Sequence, residues 1–172
     1  MLMILATDVC YRNGEAIALG VMFDRWEDGH SINSFITRTH DVEAYESGQF
    51  YKRELPCLLK LLKHLENLPE YIIVDGYVFL DDEKSPGLGK YLYDDLQGKS
   101  IVIGVAKNRF KDMSSRNELL RGTSKKPLYI TAVGIDELEA KALILKMHGE
   151  YRMPTLLKLV DHIGKKFENI LS

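Results

Sequence analysis

The chain opens on a run of apolar residues. Residues 2–11 (LMILATDVCY) read as a buried strand that ends in a polar position. Asn13-Gly14 follows, a dipeptide suited to a two-residue hairpin. Residues 15–24 (EAIALGVMFD) then read as the returning strand. A second turn over 26–29 (WEDG) leads to 31–39 (SINSFITRT), which alternates like a third strand. The texture changes after a polar, aromatic stretch over 45–53. Residues 54–68 (ELPCLLKLLKHLENL) place leucines at helical spacing, with Pro56 tolerable in a first turn. Residues 71–74 (YIIV) form a short apolar run that stops at Asp75-Gly76 and reads as a buried parallel strand.

Beyond a loop over 77–86, Gly87-Leu88-Gly89 starts a helix that runs to about Leu96. Residues 100–106 (SIVIGVA) and 127–131 (PLYIT) read as further strands. Residues 136–148 read as a helix with Leu138, Ala142 and Leu145 on one stripe, and 154–167 as a last helix led in by Pro154. Three antiparallel strands followed by alternating helix and strand predict an α/β fold: a mixed sheet of five or six strands with helices on both faces. That order is the ribonuclease H-like arrangement. Ligands in such open sheets sit beyond the C-terminal ends of parallel strands.

With 172 residues and no repeat or linker in view, one domain over 1–172 is the expectation. The chain is 45% hydrophobic and 28% charged, which argues against a disordered or coiled-coil protein. No apolar run reaches membrane-spanning length, so no membrane partner is expected. Cys10 and Cys57 have no paired spacing, which argues against a disulfide scaffold or a structural zinc site and for a cytoplasmic protein.

The net charge is −2, so a global basic signature for nucleic-acid binding is missing. Locally the balance reverses. Lys99, Lys107, Arg109, Lys111, Arg116, Arg121, Lys125 and Lys126 are opposed only by Asp112 and Glu118. The stretch reads either as a surface that steers phosphates or as a solvated loop.

Asp8 and Asp75 each close an apolar run. On neighbouring strands they would meet at one edge of the sheet. Two close carboxylates repel unless a divalent cation lies between them, and hard oxygen donors suit Mg²⁺ or Mn²⁺. The plainer reading gives each Asp a turn-capping role. Glu54 as a first-turn carboxylate and Lys107 as a surface lysine are equally ordinary taken singly.

Further motifs stand in order along the chain. Asp8-Val9-Cys10-Tyr11 is similar to DVSY, and Ile72-Ile73-Val74-Asp75-Gly76 to ILVDG. Tyr45-Glu46-Ser47-Gly48 with Arg53-Glu54-Leu55-Pro56 is similar to PYIPG…FRE. Gly87-Leu88 is similar to FGLA and Ile103–Lys107 to GVAK. Lys126–Ile130 is similar to KPVYVS, and Tyr151-Arg152-Met153-Pro154 with Asp161 to YRLPEP…AD. Through this ordered set the chain resembles the endonuclease V family, metal-dependent nucleases that recognise deoxyinosine. The resemblance runs through nearly the whole sequence.

The resemblance implies a role for each matching residue. Asp8 and Asp75 fall on metal-binding aspartates and Glu54 on a third catalytic carboxylate that helps hold Mg²⁺ or Mn²⁺. Lys107 falls on a lysine that meets the reacting phosphate, and Asp161 on a further site residue. Tyr45 falls on a wedge tyrosine, and Gly48 and Gly87 on residues lining the pocket of a flipped base. Arg109, beside Lys107, joins the expected nucleic-acid contacts. The implied protein is a monomeric, DNA-repair type endonuclease acting on DNA near deoxyinosine or another modified base. Two alternatives are an inosine-RNA endonuclease and a non-cleaving nucleic-acid-binding module of the same fold. The departures fall on base recognition. Tyr77 and Val78 stand where the family's DGHG has histidine and glycine, Asp81-Asp82 where it has His-Pro, and Ala44 and Ser47 where it has prolines.

Overall fold

The computed structural model describes residues 1–40 and 49–170. Its centre is one seven-stranded mixed sheet. Strands β1 (Ile4–Arg12), β2 (Glu15–Phe23) and β3 (Asn33–Thr39) form the predicted antiparallel meander. Asn13 and Gly14 both take positive φ, 45° and 78°, as a type I′ hairpin turn requires. Strands β4 (Tyr71–Asp75) and β5 (Ile101–Ala106) continue in parallel beside β1. Strands β6 (Glu118–Leu119) and β7 (Leu128–Val133) add an antiparallel flank, giving the order β3-β2-β1-β4-β5-β7-β6. The sheet is thus wider than the five or six strands predicted, because the basic stretch contributes the two-residue strand β6.

Helices cover both faces. Helices α1 (Phe50–Leu62) and α2 (Leu88–Asp95) lie on one side, α3 (Glu137–Lys146) and α4 (Thr155–Ile170) on the other. Side chains alternate across a strand. Leu5, Ile72, Val74 and Val102 therefore pack with Leu58, Leu62, Leu88 and Leu92. Ile4, Ala6, Ile73, Ile103 and Val105 pack with Ala140, Ile144, Leu156, Leu157 and Val160.

Two helices differ from their sequence reading. α1 begins at Phe50, four residues before the predicted start, so Pro56 and Glu54 lie in its second turn rather than its first. Pro56 brings no N–H to the helical ladder, and the helix ends at Leu62 instead of Leu68. In α3 the expected stripe of Leu138, Ala142 and Leu145 faces solvent, with Leu138 74% exposed. Ala140 and Ile144 are buried in its place. Asp136 caps this helix by accepting from the Leu138 N–H at 3.0 Å. Cys10 and Cys57 are both buried and are not joined in a disulfide.

Gly104 of β5 allows the chain after Asp75 to pass over the sheet. A Cβ at this position would lie 2.6 Å from the Gly76 carbonyl, 2.7 Å from Thr131 Oγ1 and 2.9 Å from the Val78 nitrogen. Two of the three obstacles are backbone, and the Thr131 hydroxyl is itself fixed by accepting from the Val78 N–H at 2.8 Å. Gly104→Ala is expected to lower unfolding stability by about 3 kcal/mol, measured by urea denaturation. An unchanged midpoint would contradict the close approach.

Candidate active site

The site begins where the sheet splits. β1 pairs with β4 only over Ile4–Ala6 and Tyr71–Ile73. The next rung is made by a side chain: Thr7 Oγ1 donates to the Ile73 carbonyl at 2.8 Å in the buried interior. β1 continues along β2 to Arg12, and β4 stays with β5 through Asp75 and the Gly76 N–H. Asp8 and Asp75 flank the opening. Asp8 is therefore a mid-strand residue and not a strand end as the sequence suggested. What ends at its position is the parallel pairing.

The period of two then gathers the charges. Asp8 follows Ile4 and Ala6, Asp75 follows Ile73, and Lys107 follows Ile103 and Val105, all pointing toward α4. On α4, Asp161 shares a stripe with Leu157 and Gly164. Asp8, Asp75, Lys107 and Asp161 line a common cleft with Thr7, Met153 and Leu157. Lys107 Nζ lies 3.4 Å from Asp161 Oδ1 and 3.8 Å from Asp75 Oδ2. Lys165, one turn after Asp161, reaches its other oxygen at 3.1 Å. Glu54 approaches from α1 on the opposite face. It shares a second small cleft with Asp8, Asp75, Leu58 and Leu88.

The electrostatics are those of crowded acids. Burial and then the neighbouring Asp75 and Asp161 push Asp8 up to about 7, against the pull of Lys107. Burial, then Asp75 and Asp8, push Glu54 up to about 8. Asp75 is also raised, chiefly by burial, although its side chain keeps 42% exposure toward the cleft mouth. Burial also works against Asp161, but its bonds to Lys165 and Lys107 outweigh it and hold it below the usual carboxylate range. The Lys107 ammonium is stabilised in turn, because Asp75 and Asp161 outweigh its own burial.

This donor set fits a divalent cation. Asp8 and Asp75 offer hard oxygens at one point, and a cation there would relieve the repulsion that otherwise forces protons onto them. Among the described residues no three His, Cys, Asp or Glu side chains converge closely enough to enclose an ion as they lie. A two-carboxylate mouth of this kind suits Mg²⁺, which retains several waters and takes further oxygens from a phosphate.

The remaining candidates fare differently. Gly87 caps α2 and borders the Glu54 cleft through its neighbour Leu88. A Cβ on Gly87 would stand 2.7 Å from the Tyr77 carbonyl. Tyr45 and Gly48 lie outside the described residues. Three arginines of the basic stretch are committed to partners within the fold. Arg121 is buried and donates to the carbonyls of Ile144, Met147 and Tyr151. Arg116 pairs with Asp82 at 3.4 Å. Arg109 lies near Lys107, but its Nε donates to the Met113 carbonyl at 2.8 Å and holds its own loop. Trp26 packs edge-on against Phe23 and Tyr71, as a structural residue does.

Sequence reasoning assigned no role to Thr7, Lys165 or Arg152. Lys165 follows Asp161 by four residues on a helix, a spacing that could have shown it. Arg152 donates to the carbonyls of Lys107 and Pro127, and no local pattern signals that.

Comparison with known proteins settles the relationship. The family model for Endonuclease V matches residues 1–134. The chain belongs to the endonuclease V family. That match covers Asp8, Glu54, Asp75 and Lys107 and stops before Asp161, which is joined to them by the geometry of α4. The crystal structure of the Endonuclease V from Streptomyces avermitilis superposes with a TM-score of 0.75 at 23% identity, covering 99% of this chain and 83% of that one. Human ENDOV gives 0.80 at 18% identity, covering 98% and 85%. Ciona intestinalis Endonuclease V, solved with a 23mer DNA containing an inosine followed by a ribo-adenosine, gives 0.77 at 17%, covering 99% and 86%. These likenesses show that this endonuclease V family member has the fold of those enzymes, a ribonuclease H-like mixed sheet. No curated protein sequence matches the chain. Among the described residues no helix is long and apolar enough to cross a membrane.

Proposed function

We propose that this endonuclease V family member is a Mg²⁺- or Mn²⁺-dependent endonuclease that hydrolyses a phosphodiester near deoxyinosine or another modified base. The observation that carries the reading is the meeting of Asp8, Asp75, Glu54, Lys107 and Asp161 at one split in the sheet. A non-cleaving module would have no use for acids held at such electrostatic cost.

Asp8 and Asp75 would hold the cation at the open mouth of the cleft. When bound, it supplies Lewis-acid stabilisation of the phosphodiester and activation of water. Glu54 sits on the far side of the Asp8–Asp75 pair with its pKa raised to about 8. It can therefore accept or hold a proton at neutral pH. Lys107 presents a fixed ammonium to the developing negative charge, and Asp161 holds it in place from behind. Lys165 keeps Asp161 ionised, so that Lys107 is not pulled wholly onto Asp75.

The test is a nicking assay on labelled strands. DNA carries deoxyinosine, uracil, an abasic site or a mismatch, and a parallel RNA carries inosine. Each is offered with Mg²⁺, with Mn²⁺ and with a chelator. Metal-dependent nicking near one altered base is the expected result. Cleavage confined to inosine RNA would assign the site to RNA. Salt-sensitive binding with no nicking of any substrate would overturn the enzyme reading.

A further inference from the structure

The segment that follows Asp75 does more than leave the sheet. Its Tyr77 side chain reaches across to the loop after β5. The Tyr77 hydroxyl donates to the Asn108 carbonyl and accepts the Phe110 N–H at 2.8 Å. The ring also packs edge-on against Phe110, with centroids 5.8 Å apart. One hydroxyl thus satisfies both polar groups of a turn that begins one residue after Lys107. Other bonds close the same loop. Arg152 holds the Lys107 carbonyl, Arg109 Nε holds the Met113 carbonyl, and the Met113 N–H returns to the Phe110 carbonyl at 3.1 Å. Met113 is fully buried and anchors the far end.

We infer that Tyr77 is a positioning residue for Lys107, a latch whose hydroxyl fixes the 107–110 turn and so holds the Lys107 ammonium between Asp75 and Asp161. The role rests on the proposed nuclease reading for its catalytic meaning but not for its geometry. Tyr77 does not line the cleft that holds Asp8, Asp75 and Asp161. It acts through the backbone of residues 108 and 110. The latch is itself braced from below. The next residue, Val78, donates its N–H to the buried Thr131 hydroxyl, and Gly104 leaves room for the crossing. A lysine side chain has four rotatable bonds and points wherever its backbone lets it. With Arg152 alone on the Lys107 carbonyl, the chain after it could still pivot. The Tyr77 hydroxyl removes that pivot.

Tyr77→Phe tests the latch, because it keeps the ring and its packing on Phe110 and deletes only the hydroxyl. Trypsin cleaves after Lys107, Arg109 and Lys111, so limited proteolysis with mass-spectrometric mapping reads the loop directly. The expected result is faster cutting at these three bonds, by about tenfold, with other sites unchanged. On a substrate that wild type nicks, kcat should fall by about 10- to 100-fold with little change in KM, since misplacement by a fraction of the catalytic geometry suffices. Equal acceleration at all tryptic sites would show general loosening and overturn the latch, as would unchanged cutting at the three bonds in the folded variant.

Amide exchange on the unaltered protein gives a second reading that no variant can confuse. The Phe110 amide is expected to exchange as slowly as its neighbours in β5, and rapid exchange there would overturn the proposal. Neither readout needs substrate or metal. A protein that nicks nothing would therefore refute the nuclease reading while leaving the latch to its own test.

Discussion

Asp75→Asn is expected to lower metal-dependent nicking by about 10³-fold or more while leaving the fold intact. The size follows from how many functions meet at this carboxylate. It lines the cleft with Asp8, lies 3.8 Å from the Lys107 ammonium and stands at the mouth where a cation and a phosphate would meet. Loss of one preorganised electrostatic group at the reacting centre costs about 10²–10³ in kcat, and here the loss also weakens cation binding. The fold should survive because the side chain is 42% exposed and the amide is nearly isosteric. Circular dichroism and a thermal scan check the fold, and single-turnover nicking at saturating Mg²⁺ checks the chemistry. Activity within tenfold of wild type would remove Asp75 from the site.

Asp8→Asn should stabilise the chelated protein, increasingly as pH rises from about 4 through 7. An ordinary aspartate titrates near 3.8, whereas folded Asp8 titrates near 7. The folded state therefore holds a proton between those values that the unfolded state has released. Its stabilising effect is complete below about pH 4 and is lost as pH rises through 7. In the presence of a chelator, wild-type stability should fall across that window. The asparagine variant should lack that part of the slope and be more stable than wild type at pH 8 by about 1–3 kcal/mol, a figure reduced for partial exposure and coupling to Asp75. Mg²⁺ at pH 8 should then recover much of the loss in wild type and little in the variant. Denaturation midpoints at pH 5 and pH 8, with and without Mg²⁺, decide it. A wild-type midpoint that rises from pH 5 to pH 8 under chelation would sink the account.

Local rules carried the N-terminal half of the fold. Asn13-Gly14 set one hairpin, and the apolar runs before Asp8 and Asp75 marked the two strands that meet at the site. Where the reading failed, a longer-range cause is visible. The leucine-rich period of 54–62 could not show that the helix starts at Phe50, because nothing in residues 45–53 has an apolar stripe. The face of α3 was misread because Ala140 and Ile144, not Leu138 and Leu145, pack into the core, leaving Leu138 in solvent. Eight basic residues along one stretch were legible as a charge run. That Lys107, Arg109, Arg116 and Arg121 are taken up by carbonyls and ion pairs depends on partners as distant as Met147 and Tyr151. The pairing of Asp8 with Asp75 was readable from the apolar runs that precede them, while Glu54, Lys107 and Asp161 were suggested by resemblance alone. Their approach to the pair depends on side-chain parity and on α4, which a linear reading does not resolve. Tyr77 was read only as a departure from a motif, although its hydroxyl closes the loop behind Lys107.

The charged residues of the cleft come from the first strand, the fourth, the turn after the fifth and the last helix. Asp8 thus leaves the ribosome long before Asp161. Chains emerge and begin to order from the N-terminus, so the β1–β3 meander can be complete while Lys107 and Asp161 are still unmade. The split between β1 and β4 then carries acids with no lysine opposite them. A nascent chain accordingly holds only part of the proposed reaction centre, which is complete only when α4 closes over the sheet.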